Sequence, residues 1–592
     1  MEHGLNPLDR SPGYPRRHRV TLVLLALGAL LLASRLTWLT AIDGPEYRRA
    51  AQDNIASARR LQAPRGNIFD HRGQSLARSR KAYTLTYSRY GRSKTEVKAT
   101  LNRLDALLAQ GIADRYDEII ATRPSWTRHD LVENAPQESV TAILERPNDF
   151  RGVRIHETFR REYPHGTAFA TVLGHVGRIP AERAETYRRP TYLPDATVGR
   201  SGLESRWEDR LVGKPGREAL QRDARGRLLQ QPLVERPALP GDDLVLTLDA
   251  AIQKAAYDAL LGFHGAAVMI DVETGALRAL ASAPSYDPAA PWRQEADGQP
   301  VSFLNRAFQG RYPPASPFKA ITGAAVLKDG HSPAETLYCS GSYTLRGWDR
   351  PFRCDGFHGP TALPRALQVS CNSYFYQMAE AIGGERIQRE AAAFGLGRAS
   401  GLDLPGERTG SLGSASPNTG ETLNIAIGQG ALLVTPLQMA RAYCALANGG
   451  RLPVPHVVQA IRRADGTVED KTPTGEERVL LPDSVRRPIV EGLSRVVETG
   501  GTAARADFPP EWDVCGKTGT GENGRGGVDA WFACFYPRSA PRYAVVVVVE
   551  DAPGHGGDIA APIVRAIIAA ERAQTERAQT EEAALAAAPS LP

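Results

Sequence analysis

The distribution of apolar and polar positions first identifies a long apolar segment near the start of the chain. Residues 20–42 are apolar at most positions, and roughly 20 such residues suffice to cross a bilayer. The arginines that precede this segment are Arg10, Arg16, Arg17 and Arg19. Basic residues favour the cytoplasmic side of a membrane span. We therefore expect a single-pass anchor in the cytoplasmic (inner) membrane, with the bulk of the chain outside the cytoplasm; a cleaved secretory signal is the alternative.

A second pattern predicts strands at both ends of a large C-terminal region. The apolar runs that predict strands are 244–248, 265–271, 276–282 and 543–550. The last run is rich in β-branched valine and is followed by a predicted helix over about 561–570. Strands contributed from opposite ends of one region favour a single sheet with helical segments between them. The pattern therefore predicts an α+β fold.

The length of 592 residues predicts several domains. The predicted segments are a cytoplasmic tail (1–19), a transmembrane helix (20–42), an extended mixed domain (43–240), a second domain (241–572) and a flexible tail (573–592). A polar helix is expected over about 43–60.

Composition and charge narrow the possible partners. Hydrophobic residues make up 42% of the chain and charged residues 23%, which is ordinary for globular domains. The net charge of +6 is small, and acidic residues alternate with the basic ones. No basic stripe and no glycine-rich phosphate-binding pattern is present in the sequence. We therefore expect neither a nucleic acid nor a nucleotide as a partner.

The first chemical motif is Ser316-Pro317-Phe318-Lys319, which leads into an apolar helical segment. Residues three apart at the start of a helix share one face, so Ser316 and Lys319 should point into the same space. A serine hydroxyl becomes a strong nucleophile only when a neighbour accepts its proton. Burial or nearby positive charge can lower the pKa of a lysine enough for that role.

The second motif is Lys517-Thr518-Gly519-Thr520. On a strand, Lys517 would present positive charge to an anionic substrate. Gly519 would leave room for a close backbone, and Thr520 would offer a hydroxyl to a carboxylate. Taken alone, this motif is also compatible with a turn that carries a solvated lysine.

The third motif, Ser-x-Asn, occurs twice, at Ser370-Cys371-Asn372 and at Ser416-Pro417-Asn418. Ser370 precedes an aromatic, apolar helical segment that suits a loop held against a core. Ser416 lies in a stretch rich in glycine, serine and proline. We therefore interpret Ser370 as the functional serine and Ser416 as a coincidental match.

Together and in this order, the three motifs are typical of penicillin-binding proteins and serine β-lactamases. Further supporting stretches are residues 65–70, 202–204, 284–288, 428–430 and 529–532. With these, residues 63–570 resemble the class B penicillin-binding proteins, and most of all their elongation-type subgroup. The resemblance implies a serine β-lactamase-like transpeptidase domain, an antiparallel sheet flanked by helices, preceded by a pedestal (dimerisation) domain over 43–240.

The resemblance also implies a reaction and residue roles. The enzyme would be a D,D-transpeptidase that cross-links peptidoglycan stem peptides during cell-wall elongation and is inhibited by β-lactams. Ser316 would be the acylated nucleophile, Lys319 its base and Ser370 a proton relay. The residues that would bind the donor peptide are Asn372, Lys517, Thr518, Gly519 and Thr520. The N–H groups of Ser316 and Thr520 would form the oxyanion hole, and no cofactor is expected for catalysis.

A possible metal site lies between the first motif and the end of the third. Its candidate ligands are Cys339, Cys354, His358 and Cys371. Three cysteines and one histidine are a common structural zinc set. The elongation-type family can carry a metal here on Asp, Asp, His and Cys, so cysteines would replace both aspartates in this chain. A Cys339–Cys354 disulfide and inert buried thiols remain alternatives. Zinc would stiffen the loop that holds Ser370 and Asn372.

Other interpretations use the same motifs. A division-type transpeptidase, a D,D-carboxypeptidase or β-lactamase, and a β-lactam sensor without turnover are the alternatives. No carboxylate suited to water activation is identifiable, and the short cytoplasmic segment argues against a sensor. Residues 43–240 contain no catalytic motif, so the resemblance implies a separate membrane glycan polymerase and elongation scaffold proteins as partners. For His264 and His555 the sequence identifies no partner.

Overall fold

The computed structural model describes residues 14–42, 56–125, 127–187, 192, 196–221, 233–296 and 298–587. The chain divides into two compact units, residues 1–62 with 215–238 and residues 63–214 with 239–592.

The helices are short except for the first and the last. They are α1 (Tyr14–Thr37), α2 (Lys94–Leu108), α3 (Tyr116–Ala121), α4 (Gln137–Glu145), α5 (Thr167–Leu173), α6 (Gly202–Arg206), α7 (Glu208–Leu211), α8 (Ala250–Asp258), α9 (Lys319–Lys328), α10 (Leu363–Gln368), α11 (Asn372–Ile382), α12 (Gly384–Ala393), α13 (Thr419–Ala426), α14 (Pro436–Asn448), α15 (Asp483–Arg495) and α16 (Ala560–Ala587). Single 3-10 turns include Ser316–Phe318 and Ala504–Ala506, and a π-helical turn covers Trp38–Ile42.

The strands before the first chemical motif are β1 (Ala56–Leu61), β2 (Ile68–Phe69), β3 (Ser75–Tyr87), β4 (His129–Val132), β5 (Val153–Glu162), β6 (Val176–Arg178), β7 (Thr197–Gly199), β8 (Gly216–Gln221), β9 (Leu233–Arg236), β10 (Asp243–Leu246), β11 (His264–Asp271), β12 (Leu277–Ala283), β13 (Glu295–Ala296) and β14 (Gln299–Pro300). Those after it are β15 (Leu337–Cys339), β16 (Ser342–Tyr343), β17 (Phe352–Arg353), β18 (Gly359–Thr361), β19 (Ser411–Leu412), β20 (Leu432–Leu433), β21 (Arg451–Pro453), β22 (Val458–Arg462), β23 (Val468–Asp470), β24 (Glu476–Arg478), β25 (Cys515–Glu522), β26 (Val528–Tyr536) and β27 (Tyr543–Glu550).

The first unit contains the apolar helix and a small sheet. The segment His18–Ile42 has a mean hydropathy of 2.1, is long enough to cross a membrane, and contains no buried residue. Strands β1, β8 and β9 form a three-stranded antiparallel sheet. Of the polar helix expected over 43–60, residues 43–55 lie outside the described residues. Its last residues belong to β1, because their backbone pairs with β8.

Two sheets organise the second unit. The first is seven-stranded, with the order β23-β22-β10-β2-β3-β4 and β5 paired with β3. Strand β10 pairs in parallel with β2 and antiparallel with β22, so this sheet combines residues from both sides of position 240. A separate small core, including Leu101 and Ile119, lies under α2 and α3.

The second sheet is five-stranded and antiparallel, with the order β12-β11-β27-β26-β25. Val268 of β11 lies opposite Leu280 of β12 and Val546 of β27, so the first and last strands of this sheet along the chain are direct neighbours. Helix α14 packs against β11, β26 and β27, and α16 packs against β26, β27 and α8. The α+β prediction is confirmed, with β11, β12 and β27 in one antiparallel sheet flanked by helices. The predicted strand at 244–248 does not join that sheet: it forms β10 of the seven-stranded sheet, because its backbone pairs with β2 and β22. Helix α16 continues to Ala587, and residues 588–592 lie outside the described part of the chain.

A buried ion cluster stabilises the part of the second unit that precedes the five-stranded sheet. The Glu204 side chain is fully buried, and its carboxylate accepts hydrogen bonds from Arg65 Nε at 2.5 Å and Arg161 Nε at 2.6 Å. Arg65 Nη1 also lies 2.7 Å from Glu208 Oε2. Burial alone would raise the pKa of Glu204, but the two guanidinium groups outweigh it and hold that pKa below its usual value. Each buried charge therefore depends on its partners.

Candidate active site

Ser316 begins the 3-10 turn that leads into α9. The residue before it, Ala315, has a positive φ of 53°, which is uncommon for a residue with a side chain and is often found at active sites. Gly428 holds this backbone in place, because its carbonyl accepts a hydrogen bond from Ala315 N at 2.8 Å. A Cβ at position 428 would lie 2.2 Å from the Ala315 carbonyl oxygen. Local strain and a required glycine thus fix the position of the Ser316 hydroxyl.

Lys319, one helical turn after Ser316, is fully buried. Its ammonium donates hydrogen bonds to Ser370 O at 2.8 Å, Ser370 Oγ at 3.1 Å and Asn372 Oδ1 at 2.5 Å. Removal from water disfavours the charged amine, and this burial lowers the pKa of Lys319 to about 8. The side chain is therefore poised to exchange a proton near neutral pH.

Ser370 connects Lys319 to Ser316. Its hydroxyl donates to Ser316 Oγ at 2.9 Å while accepting from Lys319 Nζ. Ser370 has a positive φ of 56° and lies in the turn between α10 and α11. Asn372, at the start of α11, accepts from Lys319 and donates through Nδ2 to the Arg353 carbonyl at 3.2 Å. The structure thus brings together the serines and the lysine that the first and third motifs predicted.

The Lys-Thr-Gly segment lies on β25, the edge strand of the five-stranded sheet, beside the Ser316 turn. A Cβ at Gly519 would lie 2.5 Å from Pro317 Cδ, so only glycine permits this approach of strand and turn. Lys517 is fully buried and donates to the Thr518 carbonyl at 3.1 Å. Burial, and then the charge of Lys319, hold the pKa of Lys517 well below its usual value.

The two threonines of this segment face different surroundings. Thr518 is buried, and its hydroxyl lies 2.6 Å from that of Thr502. Thr520 is exposed near the C-terminal end of β25. A residue that the sequence did not connect with the site lies beside it: Nδ1 of His555 is 3.4 Å from Thr520 Oγ1. The only hint of this position in the sequence was that His555 lies in the stretch Gly554–Gly557, whose other three residues are glycine.

The second Ser-x-Asn match has a structural explanation. Ser416 is exposed in the loop before α13. Asn418 caps that helix, because its Oδ1 accepts a hydrogen bond from Glu421 N at 2.9 Å, and the Glu421 carboxylate accepts in return from Asn418 N. This arrangement is a capping box.

The four candidate metal ligands converge on one point. Cys339, Cys354, His358 and Cys371 place their ligand atoms within 4.8 Å of one another. His358 Nδ1 lies 3.5 Å from the sulfurs of both Cys339 and Cys354, and the sulfurs of Cys354 and Cys371 are 4.0 Å apart. Zinc bonds of about 2.3 Å to sulfur and about 2.0 Å to nitrogen, at tetrahedral angles, require separations of about 3.5 Å (S···N) and about 3.8 Å (S···S). The residues therefore fit a zinc ion.

The cluster is linked directly to the active-site loop. Cys371 separates Ser370 from Asn372, and the Asn372 N–H donates to Cys354 Sγ at 3.2 Å. The thiol hydrogen bond with Cys371, assisted by backbone N–H donors, lowers the pKa of Cys354. All six cysteines of the chain are free thiols in the structure.

Comparison with known proteins assigns the fold to a family. The model of the penicillin binding protein transpeptidase domain matches residues 265–569, and that of the penicillin-binding protein dimerisation domain matches residues 60–246. The peptidoglycan D,D-transpeptidase MrdA of Acinetobacter baumannii is 31% identical, covering 91% of this chain and 85% of the relative. MrdA of Haemophilus influenzae is 28% identical, covering 94% and 91%.

A solved structure supports the same assignment. A chain from a peptidoglycan synthase complex, described as coordinating polymerization and crosslinking, is 31% identical with a TM-score of 0.72 and covers 94% of this chain and 98% of that one. The fold and the matched domains define a serine-type D-Ala-D-Ala transpeptidase. The chain belongs to the class B penicillin-binding proteins and, within them, to penicillin-binding protein 2, the elongation-type peptidoglycan D,D-transpeptidases. The division-type alternative is not favoured.

Proposed function

We propose that Ser316 is the nucleophile that this enzyme acylates with the donor stem peptide. The observation that carries the proposal is the continuous hydrogen-bond chain from Lys319 through Ser370 to Ser316. With Lys319 neutral, the chain reverses direction: Ser316 donates to Ser370, and Ser370 donates to Lys319. The proton of Ser316 thereby leaves as its oxygen attacks the carbonyl between the two D-alanines.

The return path of the proton completes acylation. The protonated Lys319 donates to Ser370, and Ser370 passes a proton to the departing D-alanine amine. The backbone N–H groups of Ser316 and Thr520 would stabilise the oxyanion, since donors of this kind are worth roughly 10² to 10³ in rate each. The amine of a neighbouring stem peptide then attacks the acyl-enzyme and forms the cross-link. A β-lactam would acylate Ser316 by the same route and remain attached.

The donor peptide would be held by the remaining motif residues. Asn372 lies close to the nucleophile, with its amide oxygen bonded to Lys319 and its amide nitrogen to the Arg353 carbonyl. Lys517 would contribute positive potential from β25, where Gly519 allows close approach of Pro317. Thr518 supports the strand through Thr502. Thr520, which is exposed, would donate to the terminal carboxylate of the donor.

We also propose that Cys339, Cys354, His358 and Cys371 hold one structural zinc ion. The separations of their ligand atoms support this proposal. When bound, zinc would supply a structural cross-link between three segments of chain. Cys371 and the Asn372 N–H belong to the loop that carries Ser370, so this cluster would fix the loop without taking part in the reaction.

Location and partners complete the proposal. The exposed apolar helix supports a single-pass anchor in the cytoplasmic membrane, with a pedestal over 43–240 and a transpeptidase domain over 241–572 outside the cytoplasm. The similarity to a chain of a complex that couples polymerization with crosslinking supports a separate membrane glycan polymerase as partner. Elongation scaffold proteins would dock on the pedestal.

A labelling experiment tests the central claim. Purified full-length protein is incubated with a fluorescent penicillin, and the adduct is located by mass spectrometry. Wild type should be labelled on Ser316, the Ser316→Ala variant should show no labelling, and the Ser416→Ala control should match wild type. Equal labelling of wild type and Ser316→Ala would remove Ser316 as the nucleophile.

A further inference from the structure

We propose that His555 is a specificity-determining residue that donates a hydrogen bond to the terminal carboxylate of the donor peptide. Its imidazole lies 3.4 Å from Thr520 Oγ1, the hydroxyl assigned above to that carboxylate. The inference rests on the proposed function and adds a residue to it that none of the three motifs contains.

The loop that carries His555 is fixed against the Lys-Thr-Gly strand. A Cβ at Gly556 would lie 2.2 Å from the Trp531 carbonyl oxygen and 2.4 Å from that of Gly519. A Cβ at Gly557 would lie 2.2 Å from the Thr502 carbonyl oxygen. Both positions therefore require glycine, and the close packing holds the backbone of this loop beside β25.

Hydrogen bonds on either side stop the loop from turning away. The carbonyl of His555 accepts from Asp558 N and Ile559 N, each at 3.0 Å, and the carbonyl of Gly556 accepts from Ala560 N at the start of α16. The His555 side chain is exposed while its backbone is held. The held backbone limits the loop entropy that is lost when a ligand binds the His555 ring.

The hydrogen-bond inventory of Thr520 leaves room for a carboxylate. Gly556 N donates to Thr520 Oγ1 at 3.4 Å, so the hydroxyl proton of Thr520 points either to His555 Nδ1 or to an incoming acceptor, depending on the tautomer of His555. An imidazole offers a donor nitrogen in its neutral form and two in its protonated form. A carboxylate entering between the two side chains would therefore accept one hydrogen bond from Thr520 and one from His555.

Lys517 does not reach the exposed position between Thr520 and His555. Its side chain is fully buried and its ammonium donates to the Thr518 carbonyl, whereas Thr520 and His555 are both exposed. Lys517 would act through the strand on the buried side of the carboxylate. His555 would complete the exposed side, and would favour a donor ending in a free carboxylate over one ending in a neutral group.

The test uses two thiolester donors with the same acyl group, one ending in a carboxylate and the other in a carboxamide. The ratio of their kcat/KM values for acylation of Ser316 measures carboxylate recognition independently of the chemical step. Variants are His555→Leu, which removes the donor, His555→Gln, which keeps one, and His264→Leu as an exposed-histidine control at the start of β11.

His555→Leu should lower the carboxylate-to-carboxamide ratio roughly tenfold, because hydrogen bonds to charged groups lie at the strong end of the range. The carboxamide rate should fall much less, because a hydrogen bond to a neutral carbonyl is weaker than one to a carboxylate. The Tm should stay at the wild-type value, His555→Gln should retain most of the ratio, and His264→Leu should match wild type. An equal fall for both donors, or an unchanged ratio, overturns the role of His555. Failure of the proposed function would show differently, as acylation that persists in Ser316→Ala.

Discussion

The hydroxyl of Ser370 donates to that of Ser316 across 2.9 Å, although the two residues are 54 positions apart in the chain. Both lie at strained points of the backbone: φ is positive at Ala315, immediately before Ser316, and at Ser370 itself. The Ser316 turn and the Ser370 loop, each with a strained backbone residue, are thus joined by the hydrogen bond between their hydroxyls. The rest of the fold holds these two loops together, and the proposed proton path from Lys319 depends on this hydrogen bond.

Removing the Ser370 hydroxyl should break this path while the fold persists. Ser370→Ala should slow acylation of Ser316 by a fluorescent penicillin by roughly 100-fold, within the usual contribution of a positioned acid or base. The measurement is the second-order labelling rate. Ser416→Ala, the same substitution in the other Ser-x-Asn match, should leave that rate unchanged. A Ser370→Ala rate within twofold of wild type would show that Ser316 exchanges its proton by another route.

Acylation should depend on pH through Lys319. Burial lowers the pKa of Lys319 to about 8, and only the neutral amine can accept the serine proton. The acylation rate should therefore rise as the pH increases through about 8 and level off above it. Lys319→Arg should be inactive throughout, because arginine stays protonated.

The matched control for this profile is Lys328→Arg, on the same helix. Lys328 forms an ion pair with Glu390 that arginine can keep, so the variant should reproduce the wild-type profile. A flat wild-type profile between about pH 6 and pH 9 would contradict the assignment of Lys319 as the base.

Protein purified without chelator should contain one zinc ion per chain, measured by elemental analysis. Cys354→Ser should lose the metal and slow penicillin labelling, because Cys354 also accepts a hydrogen bond from the Asn372 N–H. Cys444→Ala, a buried cysteine outside the cluster, should retain zinc. Less than stoichiometric zinc in wild type would refute the proposed site and leave the thiols as packing residues.

The buried carboxylate of Glu204 should be important for stability. Glu204→Gln removes the charge between Arg65 and Arg161, and breaking a buried ion cluster costs about 3–5 kcal/mol. The Tm should fall by several degrees. Glu157→Gln, which removes the charge from an exposed pair with Lys81, should leave the Tm close to wild type.

The same cluster predicts how stability varies with pH. The folded-state pKa of Glu204 is lowered, so its contribution is fully present above the unfolded value of about 4.3 and is lost as the pH falls through the folded value. The difference in Tm between wild type and Glu204→Gln should therefore shrink on acidification. A difference that stays constant down to about pH 3 would argue against an ionised Glu204 in the folded protein.

Local patterns predicted the catalytic sheet and the motif residues, because each depends on short-range information. The valine-rich run gave β27 with the predicted bounds, Tyr543–Glu550, and the Ser-x-x-Lys spacing placed Ser316 and Lys319 at the start of a helix. The ligand spacing grouped the four residues that the structure brings together. These features follow from side-chain periodicity and from residue type.

The sequence patterns did not predict the features that depend on long-range packing. His555 has no local partner in the sequence, and its position beside Thr520 results from contacts of Gly556 with Gly519 and Trp531. The pairing of β10 with β2 and β22 was equally hidden, because strand partners distant in sequence leave no mark on local periodicity.

The strand order of the five-stranded sheet also constrains when the enzyme becomes active during its synthesis. Strand β11 has β12 on one side and β27 on the other, and the strand that carries Lys517 joins only through β26. Because chains emerge from the N-terminus and distant contacts form slowly, the two halves of the proposed acyl-transfer site should assemble only after Glu550 has been made. A chain that stops earlier keeps its apolar N-terminal helix and has no site with which to capture a peptide or a penicillin.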